Sequence, residues 1–449
     1  MVGEWSYLPN TEDDRRLMLE ELGVGRVADL FADIPASLQL KRPYKLDKPA
    51  GEWELMQEFR SLGDANVDLD HAVSFLGAGV YDHFIPSVVP AVTSRSEFYT
   101  AYTPYQPEIS QGVLQAIFEY QTMAAELFGH DVSNASVYDG PTALGEGALM
   151  ACAHTRRDKI LVSRGVNPEY RRVLTTYAAG QRIHTEELPL SEGVTDLDGL
   201  AEVLTDEVGA VVIAYPNFLG HIEDLEEVAR LAHQKGALLL VCAYPVALGL
   251  LKAPGSLGAD IVVAEGQSLG NPPAFGGPYL GMMATTKALM RRLPGRIVGE
   301  TKDRDGRRGF VLTLQAREQH IRREKASSNI CSNQALNALA ATVYLSSLGP
   351  SGFATLARHN YAKAHYAAKR FTEAGATRLY KRPFFNEFVL TLGDQTEHVL
   401  RTLQAERIFF GHQLKIDYPE WADGILIAVT ETIGKETIDR VAARLEELL

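Results

Sequence analysis

The stretch GADIVVAEGQSLGNPPAFGGP (residues 258–278) joins a short apolar segment to a loop rich in glycine and proline. Its first half is mostly valine, isoleucine and alanine, which is typical of a strand covered on both faces of a sheet. The loop that follows such a strand is the place where an open α/β sheet binds its ligands. The stretch therefore predicts a buried strand whose carboxyl end faces a ligand site, although the loop contains no lysine.

Other short apolar segments alternate with helical patterns on both sides of this stretch. A helix is predicted at IEDLEEVARLAHQKG (222–236), where apolar residues recur every three or four positions and a glycine ends the pattern. This alternation indicates crossover units of a mostly parallel sheet. The predicted strands are KILVS (159–163), RIHTEEL (182–188), GAVVIAY (209–215), ALLLV (237–241), ADIVVA (259–264) and LGMMAT (280–285).

The 449 residues exceed what one hydrophobic core usually supports, so we expect more than one domain. We predict a helical arm over residues 1–65, a large α/β domain over 66–330 and a small α/β domain over 331–449. The arm begins with a helix capped by Thr11. The small domain has two long helical patterns, then strands at NEFVLTL, RIFFGHQLKI and DGILIAVT, and a closing helix KETIDRVAARLEELL.

Charge and cysteine spacing exclude several classes of protein. A net charge of −13 argues against a nucleic-acid partner, which requires a basic face. The longest apolar run (237–251) is too short for a membrane helix, and the polar N-terminus does not resemble a signal peptide, so we expect a cytoplasmic protein without membrane contact. Cys152, Cys242 and Cys331 lie about 90 residues apart, which fits no metal spacing and indicates buried free thiols.

A sheet of this kind raises the possibility of a pyridoxal phosphate site, which needs a helix N-terminus for the phosphate, an acidic partner for the ring nitrogen and a lysine. At the candidate helix N-terminus, Asp139 competes with a phosphate and Pro141 removes one N–H donor. The strand before residues 242–245 is followed by no carboxylate, and residues 265–268 after the next strand contain no lysine. The next lysine, Lys287, has the pattern of a surface helix residue.

Five longer segments closely resemble one family, the glycine decarboxylase P-proteins of the glycine cleavage system. They are SFLGAGVYDHFIPSVV (74–89), RSEFYTAYTPYQPEISQGVLQAIFEYQTMAAEL (95–127), YDGPTALGE (138–146), PGSLGADIVV (254–263) and AREQHIRREKASSNIC (316–331). The resemblance implies an α/β protein with the aminotransferase-like fold of pyridoxal phosphate enzymes (fold type I). It implies a large, mostly parallel sheet domain and a small C-terminal α/β domain.

The length and the missing lysine resemble the alpha, or N-terminal, subunit of the two-subunit form of that family. The resemblance implies a beta subunit as partner, in an α2β2 complex that decarboxylates glycine and passes the aminomethyl group to the lipoyl arm of H-protein. Pyridoxal phosphate is expected in the beta subunit, so this chain alone would hold no covalent cofactor and no catalytic residue. The alternatives are a structural or regulatory subunit, and a stand-alone pyridoxal enzyme with a displaced lysine.

Candidate site residues follow from the same segments. The prolines Pro104 and Pro107 stiffen the backbone and present polar side chains to a partner's pocket, although the tyrosines are equally suited to interface packing. For His83 a capped turn is the simpler interpretation. The candidates for the interface or pocket are Tyr81, Asp82, His83, Arg95, Tyr102, Thr103, Tyr105 and Glu108. The candidates for docking an anion or an acidic partner, or for a solvated ion-paired face, are Arg317, Arg322, Arg323 and Lys325.

Overall fold

The computed structural model describes residues 9–315 and 318–449, and it divides the chain into two compact units. One unit ends at Val67 and the other runs from Asp68 to Leu449. The α-helices are α1 Glu12–Glu21, α2 Glu52–Asp64, α3 Val88–Thr93, α4 Ser96–Tyr99, α5 Gln111–Phe128, α6 Gly140–Thr155, α7 Pro168–Gly180, α8 Leu197–Val203, α9 Leu225–Gln234, α10 Gln319–Arg322, α11 Ala335–Glu373, α12 Thr396–Ala405 and α13 Lys435–Leu448.

The strands are β1 Val73–Ser74, β2 Val132–Ser133, β3 Lys159–Ser163, β4 His184–Leu188, β5 Leu190–Ser191, β6 Val194–Thr195, β7 Val208–Tyr215, β8 Leu238–Ala243, β9 Ile261–Glu265, β10 Gly281–Thr285, β11 Ile297–Lys302, β12 Arg308–Thr313, β13 Thr377–Arg378, β14 Glu387–Thr391, β15 Ile408–Phe409, β16 His412–Gln413 and β17 Gly424–Ala428. Short 3-10 helices lie at Val27–Phe31, Pro107–Ile109, Pro245–Gly249, Pro254–Leu257, Met290–Arg292, Arg323–Lys325, Gly393–Gln395, Leu414–Ile416 and Pro419–Trp421.

The first unit begins with the helix that the sequence predicts. The Thr11 hydroxyl accepts a hydrogen bond from the Asp14 backbone N–H, and the Asp14 carboxylate accepts one from the Thr11 N–H at 2.7 Å. This capping box fixes the start of α1, and Gly23 in the left-handed region (φ 69°) follows its end. Helix α2 and the 3-10 turn complete the regular structure described before Val67.

A seven-stranded sheet forms the centre of the second unit, in the order β2-β10-β9-β8-β7-β3-β4. Strands β4, β3, β7, β8 and β9 are parallel. The last predicted strand, β10, is antiparallel to β9 because no crossover helix separates the two, and a loop without a helix returns the chain in the opposite direction. Every residue of β7 is buried, as the apolar run predicts.

The two faces of this sheet belong to different hydrophobic cores. Val211 and Ile213 of β7 pack in one core with the apolar face of α9, whereas Ala210 and Val212 pack in the other core with α6. Alternate side chains of a strand point to opposite faces, so a strand covered on both sides must be apolar throughout. The two cores hold the carboxyl ends of four of the parallel strands, β3, β7, β8 and β9, at one edge of the sheet.

The C-terminal part of the chain adds a four-stranded antiparallel sheet in the order β13-β14-β17-β16. Helix α11 is interrupted at Gly349 (φ 60°, ψ 179°), where the sequence predicts two separate helices. Its first part packs in the core of the large sheet through Tyr344, and its second part packs under the small sheet through Phe371. The same helix thus serves both sheets, and the predicted domain boundaries stay predictions.

Two details of the sequence interpretation are wrong. The segment RIFFGHQLKI is not one strand, because Gly411 (φ 113°) divides it into β15 and β16, and a Cβ at this position would lie 2.5 Å from the Leu426 carbonyl oxygen of β17. Strand β15 instead pairs with β1. The thiols of Cys152 and Cys242 are buried as expected, but Cys331 is exposed, since it lies in the irregular chain before α11.

Within residues 9–315 and 318–449, every helix is too short or too polar to span a lipid bilayer.

Candidate functional site

A small cavity lies where β7, β8 and β9 end, at the edge where open α/β sheets bind ligands. Its volume is about 70 Å³, enough for a few water molecules. The residues that line it come from these strand ends, from α7 and from the segments near residues 79 and 386. None of the described residues that line it is a lysine.

Two carboxylates of the chain itself cap helix α6 beside this cavity. Asp139 accepts a hydrogen bond from the Thr142 N–H at 2.8 Å, and Glu265 accepts one from the Gly140 N–H at 2.9 Å. There is little space at this helix N-terminus, because a Cβ at Gly140 would lie 2.4 Å from the Tyr170 hydroxyl. The position that favours an anion is therefore already occupied by acidic side chains.

Glu265 lies at the end of β9, directly before the loop of residues 266–278, which is rich in glycine and proline. Its second oxygen accepts hydrogen bonds from the N–H groups of Gln267 and Leu280, both at 2.9 Å. Burial raises the pKa of Glu265 to about 7 and outweighs these hydrogen bonds, which lower it. The carboxyl group thus fastens the loop after β9 to the start of α6.

On the opposite wall, Tyr81 and Glu387 connect the segment before α3 with the small sheet. The Tyr81 hydroxyl donates to one oxygen of Glu387 at 2.8 Å, and the Ala78 N–H donates to the other oxygen at 2.8 Å. A Cβ at Gly77 would lie 2.4 Å from Glu387, so the sequence keeps glycine there. Burial raises the pKa of Glu387 to about 7 and also raises the pKa of Tyr81.

His83 lies between two partners in the same region. Its Nδ1 is 2.8 Å from a carboxylate oxygen of Glu431, and its Nε2 is 2.6 Å from the Tyr244 hydroxyl. Burial raises the pKa of Glu431, but hydrogen bonds from His83 and from the Phe84 N–H outweigh burial and hold that pKa below its usual value. His83 is thus a buried, doubly hydrogen-bonded side chain, and Asp82 beside it is half-buried.

The other two tyrosines of the predicted pocket, Tyr102 and Tyr105, lie elsewhere. Tyr102 and Thr103 line a second cavity of about 250 Å³, whose other walls come from α5, Arg296 and the start of α11. Arg296 donates to the Tyr105 hydroxyl at 3.1 Å, and its guanidinium lies over the Tyr105 ring. The predicted candidates therefore form two groups, one around Tyr81 and His83 and one around Tyr102.

The remaining predicted residues are on the surface. Arg95 forms an ion pair with Glu97 of α4, and Glu108 is exposed in the 3-10 turn before α5. The basic candidates Arg322, Arg323 and Lys325 are exposed in α10 and in the turn that follows it. Arg317 lies outside the described residues. No group of three or more potential ligands for a metal ion occurs in the described ranges.

Sequence reasoning missed the roles of Glu265, Glu387, Glu431 and Arg296. The sequence could have identified two of them by their positions. Glu265 is the charged last residue of an apolar strand at the ligand edge, and Glu387 is the charged first residue of another apolar strand. A charged residue at such a position needs a buried partner or a ligand. The partners of Glu387 and Glu431 are about 300 residues away along the chain, so no local pattern identifies them.

Comparisons with known proteins identify the family. Residues 5–445 match the model of the glycine cleavage system P-protein. The chain belongs to this family. It is 54% identical to the probable glycine dehydrogenase (decarboxylating) subunit 1 of Geobacillus kaustophilus (strain HTA426), over 97% of each chain. It is 52% identical to the protein of the same description from Bacillus subtilis (strain 168), over 98% of each chain.

Solved structures confirm the predicted fold class. A crystal structure of glycine decarboxylase (P-protein) of the glycine cleavage system, in inhibitor-bound form, superposes with a TM-score of 0.91. That protein is 47% identical, and the match covers 99% of this chain and 100% of that one. Sphingosine-1-phosphate lyase of Burkholderia pseudomallei K96243, at 15% identity and a TM-score of 0.66 over 91% of this chain and 92% of that one, shares the fold. The chain has the aminotransferase-like α/β fold of pyridoxal phosphate enzymes.

Proposed function

We propose that this chain is one of two different subunits of a glycine dehydrogenase (decarboxylating), and that it acts only in the complex. The support is its identity of 52–54%, over nearly its whole length, to relatives described as subunit 1. A subunit 1 implies a second subunit. The proposed reaction removes the carboxyl group of glycine and transfers the aminomethyl remainder to the lipoyl arm of H-protein.

The main support for this proposal is that the ligand edge of this chain does not fit pyridoxal phosphate. The carboxylates of Asp139 and Glu265 occupy the N-terminus of α6, where a phosphate would need free N–H groups. The lining of the small cavity includes no lysine among the described residues, and Cys242 lies where an acidic partner of a pyridine ring would be needed. These residues support a cofactor site in the second subunit.

Lys287 supports the same conclusion. It is exposed after β10 and lines neither cavity, and its backbone N–H donates to Asp131 at 2.8 Å. The position is a turn rather than the predicted helix. A stand-alone pyridoxal enzyme that uses this lysine would need a ligand site at the other edge of the sheet, because β10 runs antiparallel to β9.

The contribution of this chain to the complex is proposed to come from the segment around Tyr102. The side chain of Tyr102 is 77% exposed, and Tyr105 and Glu108 are exposed beside it. Pro104 and Pro107 fix the backbone that carries them. Exposed aromatic side chains on a stiff segment are typical of a surface that meets a partner, so we propose that they face the active site of the second subunit.

The test of cofactor placement is an absorbance spectrum with pyridoxal phosphate and borohydride trapping. We expect no reducible adduct on this chain alone, and a reducible adduct on the second subunit together with exchange of the glycine carboxyl carbon when both are present. A reducible adduct on this chain alone would overturn the proposal.

The role of Tyr102 is tested by Tyr102→Phe in the reconstituted complex. A direct role for the hydroxyl predicts slower carboxyl exchange with unchanged assembly. Tyr44→Phe is the matched control, because Tyr44 is similarly exposed (75%) in another segment. Full exchange by the Tyr102→Phe complex would leave only a packing role for this side chain.

A further inference from the structure

The second cavity contains a buried cation that has no counter-ion among the described residues. Arg296 is 6% exposed, and none of the described residues that line the cavity is acidic. One guanidinium nitrogen donates to the Tyr105 hydroxyl, but the buried Nε has no hydrogen-bond partner within residues 9–315 and 318–449. Buried charges are ordinarily paired, because an unpaired charge is expensive to remove from water.

Two further groups in the same cavity lack acceptors. Tyr120 of α5 lines it and is 2% exposed, and its hydroxyl has no hydrogen-bond partner in the part of the chain that the structure describes. Helix α11 begins at the cavity wall, since Ser332, Asn333, Gln334, Ala335 and Leu336 all line it. The N-cap Gln334 makes no side-chain cap, so the first N–H groups of α11 lack that acceptor. The amide nitrogen of the neighbouring Asn333 donates to the Ala135 carbonyl and to the Ser136 hydroxyl.

One anion could bind all three groups, namely the guanidinium of Arg296, the hydroxyl of Tyr120 and the uncapped N-terminus of α11. The helix terminus carries a partial positive charge, so its N–H groups favour negative charge together with the arginine. Arginine also binds a carboxylate through two parallel hydrogen bonds. The three features come from separate parts of the chain, namely α5, the segment before β11 and the start of α11.

The rest of the lining indicates which anion fits. Most of it is apolar, with Phe98, Val113, Ile117 and Leu339 among the contributors. The volume of about 250 Å³ exceeds what a carboxylate group alone would fill. An inorganic anion would leave this apolar space hydrated, whereas a carboxylate with a short aliphatic body would fill it.

We propose that this cavity is a carboxylate-binding site, in which Arg296, the Tyr120 hydroxyl and the N-terminus of α11 hold the carboxylate and the apolar walls hold its aliphatic body. The carboxylate belongs either to a free small molecule or to an aspartate or glutamate side chain of a second subunit. If the carboxylate belongs to a free small molecule, the site is independent of the proposed function. If it belongs to a second subunit, the inference rests on the proposed function.

The experiment begins with the chain alone and sodium butyrate at constant ionic strength. Binding is followed by the line width of [1-13C]butyrate in NMR spectra and by the melting temperature of the protein. We expect saturable binding that Arg296→Met and Tyr120→Phe each weaken roughly 10- to 150-fold, the range for a hydrogen bond to a charged group. Arg291→Met is the matched control, because Arg291 is exposed nearby and lines neither cavity.

The second arm measures association with the second subunit. Absence of butyrate binding, together with weaker association for Arg296→Met and Tyr120→Phe than for Arg291→Met, assigns the carboxylate to that subunit. Absence of both effects overturns the proposal, and so does tighter binding of inorganic phosphate than of butyrate. Tyr120→Phe removes one oxygen atom from a buried ring, so the test remains decisive if Arg296→Met fails to fold. A cofactor-trapping result against the proposed function leaves the butyrate arm unaffected.

Discussion

Replacing Glu387 by glutamine tests whether burial keeps this carboxyl group protonated near neutral pH. The carboxyl group is fully enclosed between the small sheet and the segment that carries Ala78 and Tyr81. Glutamine has nearly the same shape, and its amide oxygen accepts the Ala78 N–H while its NH₂ group donates to the Tyr81 hydroxyl. The altered hydrogen bond lowers the free energy of unfolding by about 1 kcal/mol at every pH, and the substitution removes a titrating group.

The magnitude follows from the raised pKa. Glu387 has a pKa of about 7 in the folded protein instead of the ordinary 4.5, so the folded protein retains a proton that the unfolded chain releases. The stability from that proton is fully present below pH 4.5 and is lost as the pH rises through 7. One pKa unit corresponds to about 1.36 kcal/mol, so between pH 5 and pH 8 the ionisation of Glu387 lowers the free energy of unfolding by about 2.5 kcal/mol.

The assay is urea denaturation of the chain and of Glu387→Gln at pH 5, 6, 7 and 8, followed by circular dichroism. Glu265 and Glu146 also have pKa values raised to about 7 by burial, but both proteins contain them, so their effect cancels in the difference. We expect the difference to shift by about 2.5 kcal/mol in favour of the variant from pH 5 to pH 8. Glu202→Gln, on the exposed face of α8, should show no such shift. A difference that is constant within about 0.5 kcal/mol would refute the reasoning.

Three other changes give direct readouts. Gly77→Ala should lower the free energy of unfolding by about 1–3 kcal/mol, because the new methyl group would overlap the buried carboxylate of Glu387. The control Gly112→Ala, in the open first turn of α5, should raise the free energy of unfolding by up to about 1 kcal/mol. Urea denaturation measures both variants. Asp139→Ala should cost about 1–2 kcal/mol by loss of the N-cap of α6, and Asp139→Asn should restore most of it in the same assay. Ellman's reagent should modify one thiol, Cys331, in the native chain and all three thiols in urea, and rapid modification of a second native thiol would contradict the described burial.

Local patterns predict the large sheet because its strands are covered on both faces. Segments such as KILVS and GAVVIAY are apolar at consecutive positions, and the structure places β3 and β7 there with limits that differ by one residue at most. Helix starts are equally local, since the caps Thr11 and Asp139 bond to N–H groups three residues away. These interactions do not depend on the remainder of the fold, so a reader of the sequence can identify them.

The direction of β10 and the division of RIFFGHQLKI are not encoded in the same way. An apolar strand has the same pattern whether it runs parallel or antiparallel, so the direction of β10 follows from its helix-free connection to β9 and not from its own residues. Gly411 is needed because its backbone takes a left-handed conformation against β17, a contact that exists only after the small sheet has formed.

The sequence by itself determined the family, the fold class and the absence of lysine from the loop after β9, because each of these is a property of contiguous residues. The tertiary structure decided what occupies the ligand edge and which candidates meet. It joins Tyr81 to Glu387 and His83 to Glu431 across more than 300 residues, and it places Arg296 in a cavity with Tyr120. Burial raises the pKa values of Glu265 and Glu387 and leaves Arg296 without a counter-ion among the described residues, and it arises only when distant segments pack together.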